Sequence, residues 1–145
     1  MPGFGRFESV DELASSGPFT VFSARLAGQD GPPTFAAKTF RVQDDLADPE
    51  VLEARAGSFL DGAKLQQSLA KAPEAGWAPI HEMGRTEQYA YYVTDLFPLT
   101  GQRLIDLRRE LTANEIAHII SEVARSLGAI RKAGGGRGHG DLKPS

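Results

Sequence analysis

Asp141 and Lys143 stand two positions apart near the end of the 145-residue chain, in His139-Gly140-Asp141-Leu142-Lys143-Pro144-Ser145. A carboxylate that accepts a proton and a cation that neutralises developing charge are the groups that a phosphoryl transfer needs. In a short, non-helical segment both could converge on one reacting group. The same pair also reads as a solvated surface turn, because Asp-x-Lys is common and Pro144 favours extended or turn geometry. A second cation, Lys38, has Phe35, Ala36, Ala37 and Phe40 around it. An ammonium group in that company needs an anionic partner, or an apolar stem that packs while its head reaches water. Glu53 and Asp61 are the acids considered for that role, and either could instead be an exposed acid on a helix face.

These residues must be held by surrounding elements. Residues 20–26 (TVFSARL) alternate apolar and polar as a half-buried strand does, between two segments dense in turn residues, 14–18 and 28–33. Lys38 falls in the next expected strand, 34–40. Asp48-Pro49-Glu50 starts a helix: Asp caps free N–H groups, Pro tolerates the first turn, and an acid complements the dipole. The helix extends to about residue 72 through Leu52, Ala56, Phe59, Ala63 and Leu69, although Gly57 and Gly62 allow a break. Residues 79–84 and 89–95 read as a hairpin. Thr112-Ala113-Asn114-Glu115 is a capping box, followed by a helix whose apolar face carries Ile116, Ile119, Ile120, Val123, Leu127 and Ile130. Gly134-Gly135-Gly136 ends it. The order implies an α+β chain whose front half is mostly antiparallel sheet.

His139 to Ser145 resembles the catalytic loop of Ser/Thr protein kinases, differing mainly by Gly140 where an Arg is usual. Further matches occur in the family's order. Phe35-Ala36-Ala37-Lys38 resembles the strand whose Lys grips the α- and β-phosphates of ATP, and Tyr91 to Phe97 resembles the last small-lobe strand running into the hinge. The resemblance implies a protein-kinase-like α+β fold: an antiparallel small-lobe sheet with a regulatory helix and hinge over residues 1–97, and the beginning of the large lobe over 98–145. It implies Asp141 as base, Lys143 on phosphate, and Lys38 paired with Glu53, preferred over Asp61. It also implies Ala36 in the nucleotide site, Thr94 as gatekeeper, and the Asp95 carbonyl and Phe97 N–H as backbone partners of adenine.

The chain departs from the family pattern in its glycine-rich loop. Ala14, Ser16 and Phe19 occupy the three glycine positions, leaving Gly17, off register, and Val21. Gly140 removes the Arg that reads an activation-loop phosphate. The family's Mg2+ ligands, an Asn and the Asp of Asp-Phe-Gly, would follow Ser145, so the chain reads as an N-terminal fragment inactive by itself. The expected function of the parent domain is ATP-dependent phosphoryl transfer to protein Ser/Thr. The alternatives are a pseudokinase that binds nucleotide or acts as a scaffold, and a small-molecule kinase, which Lys143 disfavours. A non-kinase interaction domain remains a further reading.

Composition narrows the partners. A net charge of -3, with 16 Lys and Arg scattered along the chain, gives no basic field for nucleic acid. With no cysteine there is no disulfide framework, thiolate chemistry or cysteine-bound zinc, and His81, His118 and His139 lack metal-ligand spacing. No signal-peptide pattern opens the chain and no apolar run is long enough to span a bilayer, so a cytoplasmic protein with no membrane segment is expected.

Overall fold

A computed structural model describes residues 1–43, 47–71, 76–107 and 110–133. The chain forms two compact units, Met1–Gln67 with Ala78–Leu96, and Ser68–Trp77 with Phe97–Ser145.

The first unit holds strands β1 (Gly3–Phe4), β2 (Phe7–Ser16), β3 (Phe19–Leu26), β4 (Phe35–Arg41), β5 (Ile80–Arg85) and β6 (Tyr89–Asp95), with most of helix α1 (Pro49–Ala70). The six strands make one sheet in the order β1-β2-β3-β4-β6-β5. Every pairing is antiparallel. Because side chains alternate across a strand, Phe22, Ala24, Ala37, Tyr91 and Val93 share one face, where they form a buried cluster with Phe4 and Phe7. Phe4 centres this cluster, its ring 5.2 Å from Tyr91 and 5.8 Å from Phe22. Each fully buried side chain of this size contributes roughly 1.5–3 kcal/mol.

The opposite face packs on α1, where Leu52 and Ala56 meet Phe40 and Ala90. Asp48 caps the helix as expected, its Oδ1 accepting from the Glu50 N–H at 2.9 Å. The helix runs unbroken through Gly57 and Gly62. Open space surrounds both glycines, so no close approach requires them. Burial of the Leu52–Ala56 stripe offsets their cost of about 1 kcal/mol each.

The protein-kinase-like fold expected above, a small-lobe sheet with a regulatory helix and the first helices of a large lobe, is corrected by this architecture. The described residues form a six-stranded antiparallel sheet, accompanied by three helices, whose first and last strands approach each other. At the β1–β2 turn Arg6 donates from Nη2 to the His81 carbonyl at 3.2 Å and pairs with Glu82 at 3.4 Å, both on β5. The N-terminal residues cause the difference. Gly5, at φ 61, reverses the chain, so Phe4 and Phe7 enter the same core although three positions apart. Strand β2 is bulged twice, which breaks the alternation that would reveal it in the sequence.

The second unit contains α2 (Gly101–Asp106) and α3 (Ala113–Ala133). Thr100 caps α2 by accepting from the Arg103 N–H at 3.1 Å. The capping box of α3 is formed: Thr112 Oγ1 accepts from the Glu115 N–H at 3.2 Å, and Glu115 Oε2 accepts from the Thr112 N–H at 2.9 Å. Trp77 anchors its segment to α3 by donating from Nε1 to the Ser126 carbonyl at 3.2 Å. No helix among the described residues is long and apolar enough to cross a membrane.

Candidate functional site

Lys38 lies at the centre of β4, directly opposite Val21 of β3 and Tyr92 of β6. Two residues along, Ala36 is opposite Ser23 and Thr94. Residues two apart, and residues paired across strands, share a face. The sheet therefore brings Val21, Ala36, Lys38 and Thr94 together on the side that also carries α1. Val21 is half-buried, Ala36 and Thr94 are buried, and Lys38 is exposed. The desolvation cost that its apolar neighbours suggested does not arise, because the Lys38 side chain is exposed.

Lys38 places its ammonium 5.8 Å from the centre of the Tyr92 ring, within cation–π range. Tyr92 in turn packs on Phe59 of α1 at 5.2 Å, and Phe59 meets Phe40 and Phe19 at 6.2 Å each. This aromatic row fills one end of the face and leaves the Ala36–Thr94 end to small side chains. Burial holds the Tyr92 hydroxyl above the ordinary phenol range. The Tyr92 contact was missed in the sequence, although its alternation with Thr94 marks it for the same face.

Glu53, the preferred partner of Lys38, joins a different cation. Arg85 Nη1 lies 2.7 Å from each of its carboxylate oxygens. That hydrogen bond, ahead of the Coulomb attraction, holds the Glu53 carboxyl below the ordinary range and the Arg85 guanidinium above its own. Asp61 pairs with Lys64 at 3.0 Å. No local signal links Glu53 to Arg85, which are brought together by the packing of α1 against the sheet.

Gly17 forms the β2–β3 turn, where Ser16 is paired with Phe19. Its φ of 56 suits the first central position of a two-residue type II′ turn, and Pro18, restricted to negative φ, suits the second. Ser23 ties the bulged part of β2 to β3, accepting from the Asp11 N–H at 3.1 Å.

At the end of β6 the backbone of Asp95 is held on both sides. The Thr94 hydroxyl donates to the Asp95 carbonyl at 3.2 Å, and the Leu96 N–H donates to the Thr34 carbonyl at 2.9 Å. Phe97 belongs to the second unit and is exposed. Asp141 and Lys143, with His139 and Gly140, lie outside the described residues. Among the described residues no group of three or more His, Cys, Asp or Glu side chains that could hold a metal ion occurs.

No protein-family model matches the chain, and no curated protein matches it significantly.

Proposed function

We propose that the protein takes part in ATP-dependent phosphoryl transfer to protein Ser or Thr hydroxyls in the cytoplasm, with the α1-side face of the sheet binding the nucleotide. The observation that carries this reading is the alignment of Val21, Ala36, Lys38 and Thr94 on adjacent strands. It offers an accessible cation for phosphate beside small and apolar side chains that would suit a purine. Asp141 serves as the base that accepts the hydroxyl proton, and Lys143 neutralises charge on the transferred phosphoryl group. Magnesium supplies charge neutralisation across the phosphates when bound.

The sequence contains no Asp-Phe-Gly, so turnover by these 145 residues alone is not expected. Binding is the direct test. ATP at 100 times its dissociation constant should stabilise the chain by about 2.7 kcal/mol, seen as a rise in the melting temperature. Lys38→Met should remove most of that rise, each protein being compared with its own unliganded melt. Equal stabilisation of Lys38→Met and wild type would refute the assignment. A second reading, nucleotide binding without transfer, is favoured by Ala14, Ser16 and Phe19, which carry side chains at positions where close phosphate approach favours glycine.

A further inference from the structure

Strand β4 ends at Arg41, directly opposite Tyr89 at the start of β6. Residues paired across strands share a face, and an odd separation along the strand puts Arg41 on the opposite face from Lys38. Arg41, Gln43, Gln88 and Tyr89 line an open cleft of about 280 Å³ there. Backbone contacts hold its walls. The Arg41 N–H donates to the Pro18 carbonyl at 2.8 Å, and the Val42 N–H to the Gln88 carbonyl at 2.9 Å. Thr86 Oγ1 accepts from the Gln88 and Tyr89 N–H groups at 3.3 and 3.0 Å. The Tyr89 ring is anchored on Phe4 and Phe22, 6.3 Å from each. With the walls fixed in this way, filling the cleft costs little ordering of the backbone.

The lining is rich in donors. A guanidinium presents a planar fork of N–H groups with no acceptor, and each carboxamide adds an NH2. Arg6, Arg25 and Arg85 of the same unit each have an acid within ion-pair distance, whereas Arg41 has none among the described residues. Arg41 is also the one charged residue among the described residues that line the cleft, and it is exposed. Its single positive charge balances one carboxylate and leaves a phosphate dianion uncompensated in a chain of net charge -3.

We propose that this cleft binds the carboxylate of a small acidic ligand, the Arg41 guanidinium taking both oxygens and the Gln43 and Gln88 carboxamides donating beside it. A planar fork against a two-oxygen anion is the geometry in which Arg is strongest. A free small acid and the side chain of an acidic peptide present the same group. The site is independent of the nucleotide reading of the Lys38 face.

The test is a two-dimensional amide NMR titration of the 145-residue chain at constant ionic strength, with succinate, N-acetyl-glutamate amide and inorganic phosphate as probes. Both carboxylates should shift the Arg41, Val42, Gln88 and Tyr89 amides saturably, and phosphate should bind more weakly. Tighter binding of succinate points to a free acid, and tighter binding of the glutamate derivative to a peptide side chain; either supports the site. Arg41→Gln should weaken carboxylate binding roughly tenfold. Arg41→Lys, which keeps the charge without the fork, should recover part of that loss. Should Arg41→Gln fail to fold by circular dichroism, Gln43→Ala combined with Gln88→Ala should show a loss of about fivefold. Shifts that do not saturate, shifts that miss these amides, equal affinity in the folded variants, or tighter binding of phosphate would each overturn the proposal.

Discussion

Gly5 combines two constraints at one residue. Its φ of 61 lies in the left-handed region, and a Cβ there would collide with the Glu82 carboxylate. That carboxylate already accepts from the Arg6 N–H at 3.3 Å and pairs with the Arg6 side chain. Gly5→Ala should therefore destabilise the protein by about 1–2 kcal/mol from backbone strain alone, with a further loss as Glu82 is displaced. Urea denaturation of the two proteins measures this, and an unchanged midpoint would contradict the role given to the turn. Lys38 and Glu53 differ in how far their sequence context could inform. The position of Lys38 on a strand was legible from the turn-rich segment before it and the apolar residues beside it. The union of Glu53 with Arg85 was not, because the two are 32 positions apart and meet only when α1 docks.

At the scale of elements, the central strands carry the pH response. Tyr91 and Tyr92 stand on opposite faces of β6, and burial is the largest cause raising each hydroxyl; for Tyr91, Glu82 adds to it. A group whose folded value is raised contributes stability that is full below the unfolded value and lost as pH rises through the folded one. The protein should therefore lose stability above about pH 10, the ordinary phenol value. Tyr92→Phe should reduce that alkaline loss relative to wild type. Chemical denaturation across the alkaline range measures the difference, and parallel pH profiles would refute the assignment. The β3, β4 and β6 strands, the start of α1 and the capping box of α3 were readable because their signals lie within a few neighbouring residues. Strand β2 was not: its bulges at Ser9/Glu12 and Glu12/Ala14 shift the alternation twice.

For the whole molecule, the second unit exposes apolar surface. Ile116, Ile119 and Ile120 are 45%, 43% and 62% exposed, and with Leu104, Ile105 and Leu111 they line an open groove of about 240 Å³. Contiguous surface of this kind drives association. The chain should self-associate as concentration rises, and Ile119→Lys with Ile120→Lys should shift it towards monomer with little change in helix content. Light scattering measures this, and a wild-type monomer at all concentrations would contradict it.

The sequence by itself determined local features: the facing of β3 and the caps of α1 and α3. Chain geometry repeats every two or 3.6 residues, so nearby side chains suffice to establish them. Tertiary structure decided the strand order, the approach of β1 to β5, and the pairs that depend on both. Arg6 and Glu82 are 76 positions apart, and His81 meets Asp95 through a bulge. These contacts depend on register and curvature, which arise when the sheet packs around Phe4 and Phe7. The same packing replaced the expected kinase-like arrangement with a curled six-stranded sheet.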